Sequence, residues 1–370
     1  MHVSDIMAIM AEMAPPHLAE DWDNAGLQFG DPRWPVNSVF IALEPTVAAV
    51  SAACEAGADM LITHHPLIFK PLKTINLSSP TGAIIERAAL DRLAVFAAHT
   101  NLDSAEGGVN DVLCEKIGVK PLEPLCAAQA KAQYKLVFFV PESHTAAMIQ
   151  AVCQSPAGVI GNYSCCTFRS PGRGTFMPGP GADPYDGTPG QLSEVPEVRM
   201  ETNVAGTDLR QVIGHIQAHH PYETMAYDVY PVDAPPSSRG LGRLASVDPP
   251  RDLSELAGDM KEALGLDSVR FSGPDGMEIH RAAVCSGGGG GVISDFLASD
   301  AQVLISGDLR YHDAVNICEA GRAMIDIGHF ASERLVVPVL AQRLEAACQK
   351  AGADVRVTAW QGETDPFNYL

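Results

Sequence analysis

Three clusters in this sequence combine residue types that bind metal ions. They are the adjacent pair His64 and His65 in ITHHPLIF, His99 with Asp103 in HTNLD, and His329 with Glu333 in GHFASE. Imidazole and carboxylate groups together suit Zn²⁺, Mn²⁺, Fe²⁺ or Co²⁺, and the lack of a thiolate argues against an iron–sulfur cluster. The sequence therefore predicts a metal site built from nitrogen and oxygen ligands.

The number of these ligands indicates how many ions the site holds. We predict five ligands: His64, His65, Asp103, His329 and Glu333. This exceeds what one tetrahedral catalytic site uses while it keeps a position open for water or substrate. The prediction is two divalent ions per chain (Zn, Fe, Mn or Co) that share a carboxylate, and Glu333 has the reach to bridge them.

These histidines also have a purely structural interpretation. A lone pair such as His64 and His65 would more often be loop histidines bonded to the backbone. Three such clusters in a chain with only 12 histidines favour a metal site. His99, Asp308 and His312 lie near the same strand ends and could either orient the ligands or act as general acid or base, and of these we predict His99 as the catalytic residue. Asp308 could equally cap the helix that follows it.

Three further motifs are open to two interpretations. Asn24 in DWDNAG could face a ligand or serve a turn. The run Gly287–Gly291 could present N–H groups to an anion, but without a Walker lysine a tight turn is favoured. His219, His220 and Glu223 in HHPYETMAYDVYP invite a second metal site, and we favour packing or an assembly contact instead.

The elements that position these residues alternate between strand and helix. The segments VFIALE, DMLIT and LAVFAA are strand-like, and helical segments separate them. A helix with Ser4 as its N-cap runs to Met13, and a long helix spans Ser332 to Lys350. Buried strands alternating with helices indicate a parallel sheet, which binds ligands at the carboxyl ends of its strands. All three clusters follow predicted strands.

The middle of the chain differs from its flanks. Its order of strand, helix, strands, helix and strand predicts an inserted ferredoxin-like α+β domain. AGADMLITHH (56–65) resembles SDAQVLISGD (299–308), so the flanks are predicted to be two similar halves of one discontinuous α/β core. The predicted domains are 1–128 and 235–370 for the halves of the metal-binding core, and 129–234 for the insert.

Composition excludes several classes of protein. The formal charge of −20 repels phosphate backbones, so a nucleic-acid binder is disfavoured. The N-terminus lacks the pattern of a signal peptide, and no apolar run spans a membrane, so we expect a cytoplasmic protein. Nine cysteines without a C-x-x-C motif are expected to be reduced thiols.

At these motifs the sequence resembles the Nif-three-like family, also called the GTP cyclohydrolase I type 2 homologues. The matching segments are DNAGLQFG (23–30), ITHHPLIF (62–69), HTNLD (99–103), SGDLRYHD (306–313) and GHFASE (328–333). The middle looks like the PII or CutA type of insert in longer members, through GNYSCCTF (161–168), GRGTFMPGPGADPYDG (172–187) and HPYETMAYDVYP (220–231).

The resemblance implies a dinuclear metal centre on the five predicted ligands and a ring-shaped homohexamer. Glu44, where the family would have Asp, is a departure that could alter the surroundings of the metals. The family name implies hydrolytic opening of the guanine imidazole ring of GTP. Two hypotheses result: a metal-dependent hydrolase acting on a nucleotide or related heterocycle, or a non-catalytic metal-binding or regulatory scaffold protein.

Overall fold

The computed structural model describes residues 1–127, 133–161, 163–232 and 238–368. The chain is mixed α/β, as predicted, and it divides into two units. Unit 1 comprises Met1–Ala128 and Ser237–Leu370, and unit 2 comprises Gln129–Pro236. Both predicted domain boundaries, 128/129 and 234/235, lie outside the described residues, so the exact boundaries stay a prediction.

The α-helices are α1 (Val3–Met13), α2 (Val47–Glu55), α3 (Pro80–Asp91), α4 (Thr100–Ser104), α5 (Val109–Lys116), α6 (Thr145–Cys153), α7 (Leu209–His219), α8 (Leu253–Leu264), α9 (Ile293–Ala298), α10 (Tyr311–Glu319), α11 (His329–Glu333) and α12 (Val336–Lys350). Short 3₁₀ turns span Pro16–Leu18, Glu142–His144 and Gly289–Val292.

The strands are β1 (Gly26–Phe29), β2 (Ser38–Ala42), β3 (Met60–Thr63), β4 (Ala94–Ala97), β5 (Lys120–Glu123), β6 (Cys126–Ala127), β7 (Gln133–Pro141), β8 (Thr167–Phe176), β9 (Ser193–Ala205), β10 (Tyr227–Val232), β11 (Gly240–Leu241), β12 (Arg243–Asp252), β13 (Arg270–Ser272), β14 (Glu278–Gly288), β15 (Val303–Gly307), β16 (Ala323–Asp326) and β17 (Arg356–Ala359).

The first sheet of unit 1 has the order β1-β4-β3-β2-β17. Its strands β17, β2, β3 and β4 are parallel, and β1 pairs antiparallel with β4. Alternate residues enter two different cores, so that Met60 and Ile62 pack on one face and Leu61 on the other. Burial on both faces explains why these strands are continuously apolar.

The second sheet of unit 1 has the order β13-β16-β15-β14-β12-β5. Only β14, β15 and β16 are parallel in it, and the outer pairings are antiparallel. Val303 and Ile305 pack on one face and Leu304 on the other. The strands at the centre of both large sheets are parallel, as predicted, and antiparallel strands at the edges make both sheets mixed.

Unit 2 runs β7-α6-β8-β9-α7-β10, and its antiparallel sheet has the order β10-β7-β9-β8. Helices α6 and α7 pack on one face of this sheet through residues such as Met148, Val212 and Ile216. Cys153 and Cys165 form a disulfide with their Cα atoms 4.7 Å apart. The prediction that all cysteines are reduced is therefore wrong for this pair, which the fold brings together across 12 residues of sequence.

Two predicted helices differ in the structure. The first begins at Val3 with His2 as its N-cap, because the Asp5 side chain accepts a hydrogen bond from the His2 backbone N–H. The predicted long helix from Ser332 is interrupted, so that α11 and α12 are separate helices. No helix among the described residues is both long enough and apolar enough to cross a membrane.

Candidate metal centre

The candidate metal ligands of unit 1 lie where parallel strands end. His64 and His65 directly follow β3, and Asp103 lies in the short helix α4 that follows β4. His329 and Glu333 are the first and last residues of α11, which follows β16. Four residues make about one helical turn, so the last two side chains share a helix face.

The structure brings all five predicted ligands together. The acceptor and donor atoms of His64, Asp103 and Glu333 lie within 4.8 Å of one another, and those of His65, His329 and Glu333 do so as well. Each of these groups of three could hold a metal ion. Glu333 belongs to both groups.

The two carboxylate oxygens of Glu333 face different histidines. Its Oε1 lies 3.6 Å from His64 Nε2. Its Oε2 lies 3.2 Å from His65 Nε2 and 3.1 Å from His329 Nε2. On the first side, Asp103 Oδ1 lies 3.7 Å from His64 Nε2. This arrangement places one carboxylate between two sets of ligand atoms.

Burial of unsatisfied polar atoms indicates that the site fits a cation. Glu333 and Asp103 are only 3% and 6% exposed, and His64 is 2% exposed. His64 Nε2 and Glu333 Oε2 are buried without a hydrogen-bond partner in the described chain. Unsatisfied buried polar atoms destabilise a fold, and divalent cations held by the two groups of candidate ligands would satisfy them. The nitrogen and oxygen donor set suits the metals predicted from the sequence.

The pKa values of the cluster follow from this crowding of buried imidazoles and carboxylates. Burial lowers the pKa of His64, but the Asp103 and Glu333 carboxylates outweigh it and raise that pKa to about 9. The Glu333 carboxylate, 3.1 Å from its Nε2, is the first cause that raises the pKa of His329 to about 9. Burial raises the pKa of Asp103, whereas the imidazoles, His64 foremost, overcome burial to lower the pKa of Glu333.

The second nitrogen of each histidine has its own oxygen neighbour, which orients the ring. His64 Nδ1 donates to the carbonyl oxygen of Ala98 at 2.9 Å, which directs Nε2 toward the carboxylates. His329 Nδ1 bonds to Asp308 Oδ2 at 2.8 Å. Hydrogen bonds of this kind set the tautomer and the ring orientation of metal-binding histidines.

Asp308 therefore orients His329, and it does not cap α10. The N-cap of that helix is Arg310, whose backbone N–H donates to Asp313. His312, which was grouped with Asp308 from the sequence, is exposed and packs against Tyr311. It is in none of the ligand groups found among the described residues.

Glu44 lies beside the candidate ligand His65. Its Oε1 is 2.7 Å from His65 Nδ1, at the distance but not the alignment of a hydrogen bond. The Glu363 carboxylate accepts hydrogen bonds from the backbone N–H groups of Leu43 and Glu44, which holds this loop in place.

His99, the predicted catalytic residue, lies beside the ligands. Its ring centroid is 5.3 Å from those of His64 and His65, and with them it forms a third group that could hold an ion. Its Nδ1 bonds to Asp23 Oδ1 at 2.7 Å. The Asp23 side chain is fully shielded and also accepts from Thr100. The hydrogen bond to His99 is a main cause that lowers the Asp23 pKa to about 2, against the effect of burial.

Sequence reasoning missed residues that support the ligands. Asp23 was visible only as part of a turn motif. Ser286 Oγ donates to Asp103 Oδ1 at 3.0 Å, and the Gly287 N–H donates to Ser332 Oγ at 2.9 Å. A Cβ on Gly287 would lie 2.3 Å from Glu333 Oε1. The glycine run was predicted as a turn, and its first residue in fact makes room for a candidate ligand.

Two residues of the other open motifs, Asn24 and His220, have structural roles. The Asn24 amide donates to the carbonyl oxygen of Ile68 at 2.6 Å, so it fixes the loop to the segment after His65. His220 is 9% exposed, and both of its ring nitrogens are in hydrogen bonds within unit 2. The packing interpretation of that histidine is therefore supported over a second metal site.

Comparison with known proteins finds one family model that matches nearly the whole chain. The family described as Duf34/NIF3 (NGG1p interacting factor 3) matches residues 1–366. A GTP cyclohydrolase 1 type 2 homolog from Halalkalibacterium halodurans is 35% identical over 365 residues, covering 99% of this chain and 98% of the relative. The homolog of the same name from Bacillus subtilis is 34% identical over the same coverage.

Solved structures include proteins that are similar to this chain over its whole length. A Bacillus cereus protein related to NIF3 is 36% identical, with a TM-score of 0.78 over 100% of this chain and 99% of that one. The Staphylococcus aureus protein SA1388 is 30% identical, with a TM-score of 0.84 over the same coverage.

Proposed function

The chain belongs to the Duf34/NIF3 family, and from that premise we propose that it is a metal-dependent hydrolase with a dinuclear centre. His64 and Asp103 would hold one divalent cation, His65 and His329 the other, and Glu333 would contact both. The substrate would be a nucleotide or a related heterocycle. Zn²⁺, Fe²⁺, Mn²⁺ and Co²⁺ all suit this ligand set.

One observation carries the proposal: the two oxygens of Glu333 face two separate groups of ligands. If a buried carboxylate bound one metal ion through one oxygen, its other oxygen would be expected to accept a hydrogen bond. Among the described residues, no backbone N–H or hydroxyl group donates to either oxygen of Glu333, and both oxygens face ring nitrogens of oriented histidines. A shared carboxylate is the usual feature of two-metal hydrolytic sites.

Divalent cations at such a site supply Lewis acidity, which lowers the pKa of water and polarises a substrate bond. The chain itself supplies the groups around them. His99 lies beside the ligands and its Nδ1 is bonded to Asp23, so the ring is held with Nε2 available to accept and return a proton. Asp23 fixes the orientation of the ring, as a hydrogen-bonded carboxylate does for a general base.

Two exposed aromatic side chains favour a planar substrate. Trp22 and Phe69 are 58% and 48% exposed, and their ring centroids are 5.8 Å apart. Trp22 also lies 6.0 Å from His99, ring to ring. Exposed aromatic faces next to a catalytic group provide a surface on which a heterocycle stacks. The names of the curated relatives make GTP the first candidate.

The test begins with protein loaded with two equivalents of metal and follows formate release from GTP in single turnover. Asp103→Asn should reduce metal content and activity together. His99→Ala should slow turnover while metal content stays near the wild-type value. Activity unchanged in Asp103→Asn would identify a contaminating enzyme. Full dinuclear loading without turnover of GTP or any other nucleotide would favour the alternative, a non-catalytic metal-binding or regulatory scaffold.

The metal assignment has its own test, independent of any substrate. Wild-type protein should carry up to two divalent ions per chain by elemental analysis. His64→Ala and Glu333→Ala should each reduce that content, and the double variant should reduce it further. Full occupancy in the double variant would refute the assignment.

We also propose that 129–234 is an inserted ferredoxin-like domain and that the flanking segments are two related halves. The strand order β10-β7-β9-β8 and the matching parallel trios β2-β3-β4 and β14-β15-β16 support this. A chain with 129–234 replaced by a short linker should fold and bind metal. A homohexamer, expected from the family, is tested by light scattering of the full chain.

A further inference from the structure

Unit 2 contains a cavity of about 630 Å³ that the metal chemistry does not use. Strands β8 and β9, the chain that follows β8 and the segment Tyr222–Ala226 line it. Its volume lies within the range of cavities that bind small organic molecules. All of its lining residues belong to unit 2, so it is separate from the candidate metal ligands.

Aromatic rings form one wall of this cavity. The ring centroid of Tyr222 is 6.0 Å from that of Tyr185 and 6.5 Å from that of Phe176. Tyr185 is 52% exposed, so it presents ring surface to solvent at the cavity wall. Such rings offer faces of negative potential, which attract cations.

His220 holds Tyr222 in place: it accepts a hydrogen bond from the Tyr222 backbone and donates one to strand β7. The Tyr222 backbone N–H donates to His220 Nδ1 at 3.1 Å, so the ring proton must be on Nε2, which donates to the carbonyl oxygen of Phe139 at 2.8 Å. The imidazole also meets the Tyr222 ring edge-on, at 5.1 Å between centroids. The aromatic wall is thus preorganised.

Carboxylates line the cavity beside these rings. Asp186, Glu197 and Glu223 are among its lining residues, and none forms an ion pair with a described Lys, Arg or His. Glu197 Oε1 accepts the Tyr222 hydroxyl hydrogen at 2.8 Å. Gly174 makes room for this carboxylate, because a Cβ there would lie 2.0 Å from Glu197 Oε2.

The positive side chains at the cavity are already neutralised. Arg173 forms an ion pair with Glu194, and Arg199 forms one with Glu201. Neither of these glutamates lines the cavity. The charge left facing a ligand is therefore that of the three carboxylates, which disfavours an anionic ligand such as a nucleotide phosphate.

We propose that this cavity binds an organic cation with an apolar body, a protonated or quaternary amine. The charged nitrogen lies against the faces of Tyr185 and Tyr222, near the Glu197 carboxylate. The apolar part contacts Phe176 and the prolines of the rim. Aromatic faces combined with carboxylates are the chemistry by which proteins recognise ammonium groups.

The test uses the full chain and three probes that share a benzyl group: benzyltrimethylammonium, benzyl alcohol and phenylacetate. Titration calorimetry and saturation-transfer NMR measure their binding. The cation should bind saturably, and the neutral and anionic probes should bind about tenfold more weakly or worse, since they lack the ionic partner of the carboxylates. Equal binding of benzyl alcohol, or no saturable binding of the cation, would overturn the proposal.

Variants assign the binding to this cavity. Glu197→Gln should weaken cation binding about tenfold, because it removes the charge and keeps the shape. The matched control is Asp228→Asn, an exposed carboxylate of β10 outside the cavity, which should have no effect. Equal affinities in these two variants would refute the site.

A second pair protects the test against misfolding of Glu197→Gln. Tyr185 is half exposed, so replacing it does not threaten the fold. Tyr185→Leu should weaken cation binding about threefold or more. Tyr185→Phe should bind the cation as the wild type does, because only the aromatic face is needed. Unchanged binding in Tyr185→Leu would exclude a contribution of the ring and contradict the proposed chemistry.

Discussion

Replacing Gly287 by alanine tests the metal centre through a single methyl group. The added Cβ would lie 2.3 Å from Glu333 Oε1 and 3.4 Å from His329 Nε2. An ordinary contact between carbon and oxygen needs about 3.3 Å, so the carboxylate must move by about 1 Å. In a working metal site, each metal–ligand distance stays within about 0.2 Å of its usual value. Glu333 in its new position would therefore be a poor ligand.

The backbone adds a smaller cost. Gly287 has a φ of +65°, a left-handed conformation that costs an alanine about 1 kcal/mol. The stability loss should be modest, whereas metal affinity should fall about 10-fold to 100-fold, as it does when groups supporting a ligand are removed. The assay is titration of Zn²⁺ against a competing chelator, with circular dichroism to confirm that the variant is folded.

The adjacent glycine provides a matched control. Gly288 has a negative φ of −91°, and the nearest atom to its added Cβ would be Asp308 Cβ at 4.0 Å. Gly288→Ala should bind metal as the wild type does. If the folded Gly287→Ala protein binds Zn²⁺ as tightly as Gly288→Ala, then Glu333 is not a ligand in its observed position, and the reasoning fails.

Four further predictions follow from other contacts. Asp308→Ala should lower metal affinity about tenfold or more by releasing His329, measured by the same titration; unaltered affinity would contradict the orienting role. Asp111→Asn should cost about 3 kcal/mol in denaturant unfolding, because Arg243 is 3% exposed and loses its charged partner; a cost below about 1 kcal/mol would show that the pair is solvated. Removing metal with a chelator should lower the melting temperature, since ligands that bind only the folded state stabilise it; identical melting curves would argue against bound metal. Thiol alkylation of unreduced, denatured protein should modify seven cysteines, and two more should react after reduction if Cys153 and Cys165 are paired; nine modified without reduction would exclude the disulfide.

Much of the candidate centre could be predicted from local patterns. Apolar runs of strand length fix which residues are buried, and the residues directly after them lie at the carboxyl ends of the strands. That is why His64, Asp103 and Glu333 could be named as candidate ligands from the sequence. The spacing of His329 and Glu333 also indicates one helix face, because the period of a helix is a local property.

Elements without a regular apolar pattern were harder to predict. Strand β8 lies in a segment rich in Gly and Pro, where only its pairing with β9 over ten residues makes it a strand. The antiparallel edge strands β1, β5 and β13 are short, so their direction depends on the neighbour they meet. Long-range pairing decides such segments, and local propensity does not.

The contacts around the ligands depended entirely on tertiary structure. The sequence alone indicated that the chain is mixed α/β and that it contains motifs typical of a metal site. It also indicated which side chains could be ligands. Only packing decided that Asp308 orients His329, that Asp23 holds His99, and that Gly287 makes room for Glu333. The residues of these pairs are 21 to 76 positions apart in the sequence. They come within a few ångström of each other because of how the sheets and helices pack together, and local periodicity does not encode that packing.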